Sequence, residues 1–361
     1  MDRGTDTVAS GRGTGASGDL AIRAVDPGDD SRWDREVSRH ADGSVFHSAA
    51  WARVVRRTYG HRPCSLRVSQ GDTLVALVPL MEVGQGGWRR GVSMPFSDAA
   101  GPLIFHPRRA SAVWSALESC AEERRWKRLE LRGGPAPRDL PAAFRYEGFR
   151  LDLSAGIDRL HGGFDGSVRR AIRKAERCDL RARVERDLAA MRTFYELHAR
   201  TRRRHGLPPQ PWTFFRNLHE EIIAPGNGAV VLAEASRQSV AGAVFLWSGP
   251  RAIFKYGASL PEAWPLRPNQ FTMWAGIRHL VETGCRVLDL GRTSATQEGL
   301  LRFKRAWGAA PQPLDYYRYE CPRRAWAADL TPPREGYPAL FGWMPLGVNR
   351  LAGKLIYRHL D

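Results

Sequence analysis

Ala229-Val230-Val231-Leu232-Ala233-Glu234, Val240-Ala241-Gly242-Ala243-Val244-Phe245-Leu246 and Phe254-Lys255-Tyr256-Gly257-Ala258-Ser259 are three apolar runs in close succession. They read as adjacent strands. A helix around Phe271 to Glu282 follows, then a strand, Arg286-Val287-Leu288-Asp289-Leu290-Gly291-Arg292. A short helix, Phe214-Phe215-Arg216-Asn217-Leu218, comes first. The same order occurs earlier in the chain. It begins with Trp51-Ala52-Arg53-Val54-Val55, Thr73-Leu74-Val75-Ala76-Leu77-Val78-Pro79-Leu80 and Asp98-Ala99-Ala100-Gly101-Pro102-Leu103. It ends with a helix around Val113 to Arg125 and the strand Arg128-Leu129-Glu130-Leu131-Arg132-Gly133. A repeat of this length exceeds a solenoid unit and matches a whole domain. The pattern predicts an α/β chain of two like domains, with a cleft between them where a ligand would bind.

The first domain is expected over 20–160. Trp51, Val54, Val55 and Tyr59 fall on one helical face, and Gln70-Gly71-Asp72 turns a hairpin. Tyr146 to Leu153 is its last strand. Ser154 to Phe164, with Gly156, Gly162 and Gly163, is the expected linker. The second domain is expected over 161–321. A C-terminal Pro-rich segment and amphipathic basic helix occupy 322–361. That helix is expected to dock on its own domain, with peripheral contact to an anionic membrane as the alternative. Residues 1–19 are rich in Gly, Ser and Thr, without the apolar core of a signal peptide, and are expected to be a disordered tail.

The 361 residues suffice for two cores, and 43% hydrophobic content suits a globular protein. No apolar run reaches the length of a membrane-spanning helix. Cys64, Cys120, Cys178, Cys285 and Cys321 are scattered, which fits neither a disulfide framework nor a zinc site. A cytoplasmic location is therefore expected. Net charge is +17, from 55 Lys and Arg against 38 Asp and Glu. The excess is mostly Arg, a residue suited to phosphate and carboxylate. It implies a polyanionic partner such as tRNA or a nucleotide-linked substrate.

The charge is clustered. Asp165 or Ser167 caps a helix on which Arg169, Arg173 and Arg177 recur every four residues, alongside Arg170 and Lys174. Like charges at that spacing repel, so the stripe points to an anion. A second cluster, Arg200, Arg202, Arg203, Arg204 and His205, ends at Gly206-Leu207-Pro208-Pro209. No GxGxxG precedes a helix, and no Walker loop, HExxH, Gly-x-Ser-x-Gly or acidic metal motif is present. Acyl transfer, which requires only an aligned pocket, an oxyanion donor and a proton route, leaves weak signatures and remains open. So does pure binding.

The second half resembles the FemAB-type branch of the GNAT acyltransferase superfamily. The resemblance rests on Arg169-Arg170-Ala171-Ile172-Arg173-Lys174-Ala175-Glu176, Arg202-Arg203-Arg204-His205-Gly206-Leu207-Pro208 and Lys255-Tyr256-Gly257-Ala258-Ser259. It continues through Arg267-Pro268-Asn269, Asp289-Leu290-Gly291-Arg292-Thr293 and Gly299-Leu300-Leu301-Arg302-Phe303-Lys304-Arg305-Ala306-Trp307-Gly308. Pro95-Phe96-Ser97-Asp98 extends it loosely into the first half. It implies tandem GNAT-like domains, each a mixed sheet flanked by helices. It also implies transfer of an aminoacyl group from aminoacyl-tRNA, as co-substrate, to an amine of a peptidoglycan precursor or a specialised metabolite, with no resident cofactor or metal. The long helical hairpin of the glycine-adding members is missing. The alternative is a CoA-dependent N-acetyltransferase of polysaccharide biosynthesis. Against it, Pro268 removes a backbone donor where such enzymes hold pyrophosphate. From another class comes a non-catalytic RNA-binding protein, supported by charge alone.

Lys304, Asp98 and Tyr256 are the candidate catalytic residues. Lys304 would neutralise a phosphate or the developing oxyanion, Asp98 would accept the amine's proton, and Tyr256 would donate one. Arg292, Asp289, Asn269, Arg267, Arg203 and His205 are the candidate substrate contacts. Arg169, Arg170, Arg173, Lys174 and Arg177 would meet tRNA phosphates. Leu300, Phe303 and Trp307 are expected to share one helical face, with Lys304 one position round. Trp264, Trp274 and Trp307 read as core residues.

Overall fold

The computed structural model describes residues 20–136, 140–331 and 340–359. The tail expected at 1–19 lies outside them. The chain opens with β1 (Ala21–Val25), α1 (Trp33–Arg39) and α2 (Ala49–Tyr59). It runs through β2 (Arg62–Pro63), β3 (Ser65–Gln70), β4 (Thr73–Val78), β5 (Met81–Val83), β6 (Arg90–Val92) and β7 (Leu103–Ile104) to α3 (Ala110–Glu123) and β8 (Arg128–Arg132). Next come β9 (Phe144–Asp152), α4 (Ile157–Gly163), α5 (Gly166–Arg177), β10 (Arg181–Glu185), α6 (Leu188–Arg204) and α7 (Trp212–Leu218). β11 (Gly228–Ala235), β12 (Gln238–Ser248), β13 (Arg251–Ser259), α8 (Pro268–Glu282), β14 (Val287–Thr293) and α9 (Glu298–Ala306) follow. The chain ends with β15 (Ala310–Glu320), β16 (Ala325–Trp326), α10 (Leu340–Trp343) and α11 (Leu346–Ile356).

Two compact units result. The described residues of Met1–Arg56, Gly60–Tyr146 and Leu314–Pro332 form the first; those of Arg57–Tyr59, Glu147–Pro313 and Pro333–Asp361 form the second. The repeat is visible in both, as a strand, two helices, an antiparallel hairpin, a further strand, a third helix and a strand that pairs in parallel.

In the first unit β3 and β4 form the expected hairpin, closing with Gln70 opposite Thr73. β1 and β7 flank it, also antiparallel. The apolar stretch from Leu74 to Val83 breaks into β4 and β5 at Pro79, which has no N–H to give a ladder. β6 pairs with β8 in parallel. α2 is capped by Ser48, whose Oγ accepts from Trp51 N at 3.2 Å. It buries Trp51, Val54 and Val55 on the face their spacing predicts. Each buried side chain contributes about 1.5–3 kcal/mol.

In the second unit the sheet runs β10–β11–β12–β13–β14–β9. All neighbours are antiparallel except β13 and β14. Side chains two apart on β12, Ala243, Phe245 and Trp247, share a core with Met273, Ile277 and Leu280 of α8. Val168 and Ile172 of α5 join the same core. α6 lies along β12 and β13, with its His198 ring 5.4 Å from that of Tyr256. The expected linker is the helix α4. Leu160 and Phe164 are buried in this unit's core, and two apolar anchors outweigh three glycines.

Each unit is internally paired, and the first is completed by a strand from far along the chain. Residues 147–152 of β9, which follow β8 along the chain, pair with β14. Residues 316–320 of β15, which follow α9, pair with β8.

Candidate active site in the second unit

β13 and β14 are neighbours for only three residues each, Arg251–Ile253 beside Val287–Asp289. Beyond that they part. β13 stays with β12 as far as Ser259, opposite Ala241. β14 stays with β9, Arg292 opposite Gly148 and Thr293 opposite Glu147. Two irregularities mark the parting. Lys255 is an extra residue in β13, because Val244 and Phe245 face Tyr256 and Phe254. The β14 register shifts between Asp289 and Arg292, where Gly291 has φ +75°. Only glycine adopts that conformation without strain. The gap between the strands is flanked by backbone that the β13–β14 ladder does not use.

The β14 bulge is fastened from both sides. Asp289 Oδ1 accepts from Gly291 N at 2.7 Å, and Asp289 Oδ2 lies 3.8 Å from Arg150 Nε of β9. Lys304 of α9 reaches over from the other direction. Its Nζ donates to Gly291 O at 2.7 Å and to Arg292 O at 3.1 Å. It also lies 5.5 Å from the centre of the Phe149 ring. Lys304 is only 3% exposed. The buried side of α9 is therefore Leu301, Lys304 and, just beyond the helix, Trp307, while Leu300 is exposed. The helix is turned from the orientation its apolar spacing predicted, because carbonyls of the bulge receive the ammonium. At the end of β14 the Thr293 side chain is buried, and its hydroxyl has no hydrogen-bond partner among the described residues.

Tyr256 on β13 is half-buried, packed against His198 of α6 and against Phe214 and Phe215 of α7. His198 Nε2 meets Gln210 Oε1 at 2.8 Å. The amide oxygen accepts, so Nε2 carries the hydrogen. Nδ1 is buried, with no hydrogen-bond partner among the described residues. Burial first, then the Arg202 charge, brings the His198 pKa down to about 3.

Where β13 ends, a second group of side chains converges. Arg204 Nη1 donates to Ser259 O at 3.1 Å and stacks over Trp264 at 4.9 Å. Trp264 Nε1 donates to Ser259 Oγ at 3.0 Å, and Arg267 N donates to Trp264 O at 2.9 Å. Trp274 and Trp307 are core, as expected, whereas Trp264 is 45% exposed. Arg267 is the exposed, left-handed residue before α8, and Asn269 is exposed in its first turn. Arg203 and His205 belong to this same end of α6. Burial, then Arg204 and Arg202, hold His205 below the usual histidine range.

The basic stripe is real. Asp165 caps α5 by accepting from Ser167 N at 2.7 Å. Val168, Ala171, Ile172 and Ala175 turn inward, and Arg170, Arg173, Lys174 and Arg177 stand exposed. With Glu176 these four line an open groove of about 740 Å³. Arg169 is half-buried. Ala175 shares a small core with Phe271 and Leu266, so this end of α5 meets the start of α8.

The structure thus gathers Lys304, Asp289 and Arg292 at the bulge, Arg267, Asn269, Arg203 and His205 beyond β13, and the α5 cations beside α8. Asp98 belongs to the first unit, where its backbone oxygen accepts from Tyr316 Oη at 2.5 Å. Arg150, Thr293, Ser259 and Trp264 were not among the candidate site residues that the sequence offered. Ser259 closes the Lys255–Ser259 motif, the one signal that pointed to it. Among the described residues no group of His, Cys, Asp and Glu is placed to hold a metal ion, and no helix is long and apolar enough to cross a membrane.

Residues 164–305 match the family described as Acetyltransferase (GNAT) domain. No curated protein matches the chain. Among solved structures it is similar to FemX, with 14% identity and a TM-score of 0.65 over 81% of this chain and 96% of that one. It is similar to a tandem GNAT protein from the clavulanic acid biosynthesis pathway, with 12% identity and a TM-score of 0.53 over 84% and 98%. It is similar also to L-PGS from Bacillus licheniformis, with 10% identity and a TM-score of 0.51 over 90% and 97%. These likenesses show a fold of tandem GNAT-like halves, each a mixed sheet flanked by helices. The domain match supports an acyltransferase whose residues 164–305 form a GNAT-type domain, and the fold of the chain is like that of FemX.

Proposed function

We propose that this enzyme forms an amide by moving an aminoacyl group from aminoacyl-tRNA to an amine, in the cytoplasm. The amine belongs to a peptidoglycan precursor or to a specialised metabolite. The observation that carries this reading is the groove along α5, with four exposed cations on the helix that packs against the start of α8. A phosphate backbone is the ligand that such a row fits. The amine nitrogen attacks the ester carbonyl, the bond to the ribose oxygen breaks, and the amine's proton ends on that oxygen. The gap between β13 and β14 is where the carbonyl would lie, with backbone donors for its developing charge. Lys304 acts there as a positioning residue, holding the bulge that shapes the gap.

A second reading, an acyl-CoA donor, is favoured by the same parting of β13 and β14. Against it, Pro268 occupies the first turn of α8 and offers no N–H to a pyrophosphate. The two readings separate when the protein and a soluble cell extract are given labelled aminoacyl-tRNAs or labelled acetyl-CoA. Label leaving tRNA into an amide, in an RNase-sensitive way, is the expected result. Label leaving CoA alone overturns the tRNA reading.

The groove has its own test. Binding of tRNA should weaken steeply with salt. Replacing Arg170, Arg173 and Arg177 by Ala should reduce the slope of log K against log salt by about 2. An unchanged slope removes α5 from the interface.

A further inference from the structure

We propose that the C-terminal segment, 340–359, seats this chain on an anionic lipid surface. The rotation of α11 is fixed by how it docks. Asn349, Gly353 and Tyr357 are buried against the second unit. Asn349 Nδ2 donates to Phe341 O at 3.0 Å, Arg202 Nη2 donates to Tyr357 Oη at 2.7 Å, and Arg350 pairs with Glu196. A Cβ on Gly353 would fall 2.0 Å from Pro209 O, so the helix lies as close as backbone allows.

Docking in this way turns an apolar face outward. Val348 is 50% exposed, Leu351 57% and Leu355 62%, at spacings of three and four residues. Trp343, in α10, is 89% exposed. α10 rests on the end of α6, where a Cβ on Gly342 would stand 3.6 Å from Arg203 O. The next residue of α6, Arg204, carries the half-exposed Trp264. Two accessible tryptophans, one of them stacked by an arginine, suit the headgroup level of a bilayer.

Charge selects the occupant. Residues 340–359 contain Arg350, Lys354 and Arg358 and no Asp or Glu. Lys354 and Arg358 are exposed beside the apolar face. A second copy would set these cations against their like, whereas an anionic surface attracts them. No described helix is long and apolar enough to cross a membrane, so the segment lies on the surface with its apolar side chains reaching the acyl boundary. The inference is independent of which acyl donor the enzyme uses.

The test is co-sedimentation of the full chain with vesicles of phosphatidylcholine alone or mixed equally with phosphatidylglycerol. Binding to the mixed vesicles should exceed binding to the neutral ones at least ~10-fold and fall with added salt. Val348→Ser, Leu351→Ser and Leu355→Ser together should weaken it on the order of 10²-fold, with the thermal transition unmoved because the replaced side chains are exposed. Lys354→Gln with Arg358→Gln should weaken it about 10-fold. Failure of the wild-type chain to pellet overturns the proposal, as does an unchanged affinity of the triple variant. A wild-type dimer that the same triple variant dissociates also overturns it, in favour of self-association.

Discussion

Lys304→Met should lower the free energy of unfolding by about 2–4 kcal/mol and reduce turnover on the order of 10²-fold. The stability loss follows from two charge-assisted hydrogen bonds, to Gly291 O and Arg292 O, in a place water does not reach. Met fills similar volume, so a packing defect contributes little. The loss of turnover follows from geometry. Without the ammonium, nothing from α9 holds Gly291 at its positive φ, and the gap between β13 and β14 changes width. A displacement of an ångström near reacting atoms is enough for the expected fall. Urea titration and the label-transfer assay measure the two effects separately. Normal stability with lost turnover would instead give Lys304 direct contact with the reactants. Normal values of both would detach it from the site.

His198 governs the second large effect, on stability at acid pH. Its folded pKa lies at about 3, because burial and the Arg202 charge disfavour the imidazolium. In the unfolded chain it returns to about 6.5. Between those values the unfolded state holds more protons, so stability rises with pH and is fully present above the unfolded pKa. As pH falls through that window, His198 removes roughly 1.4 kcal/mol per unit, up to several kcal/mol by pH 3. His205 and His279 are also held low by burial and nearby arginines, and contribute in the same direction. A comparison isolates His198. His198→Phe should be less stable near neutrality, since Gln210 loses its partner, yet its unfolding free energy should fall less steeply from pH 6.5 to 4. Parallel slopes for the two proteins would mean that His198 already titrates normally when folded.

Local pattern made much of this fold legible. The repeat showed itself because strand and helix periods are written into consecutive residues, as in the β11–β12 hairpin and α8. The α5 stripe was legible for the same reason, since four-residue spacing places side chains on one face whatever the tertiary fold. The bulge was not. Its partner Arg150 is supplied by β9, and nothing in the sequence near Asp289 announces that strand. Lys304 was singled out as a residue, but its burial depends on carbonyls that only the folded β14 presents. Trp264 misled because an aromatic residue is usually core, while here Ser259 and Arg204 hold it at the surface by its edge and face. The glycines around α4 suggested a linker, because glycine density speaks before two anchoring side chains do.

The late arrival of β15 bears on how the chain comes off the ribosome. When β8 emerges, its antiparallel neighbour has not been made. Tyr317 and Tyr319 of β15 belong to the first unit's core, beside Trp114 and Leu131, and arrive only after nearly all of the second unit. At cellular elongation rates of about 5–20 residues per second, the nascent first half waits roughly 10–35 s with one sheet edge unfilled. A chain terminated after β9 would keep that open edge permanently, and unpaired edges recruit other strands. Truncated copies of this gene should therefore give aggregates instead of a stable half-protein, and the two halves should become soluble only when synthesised together.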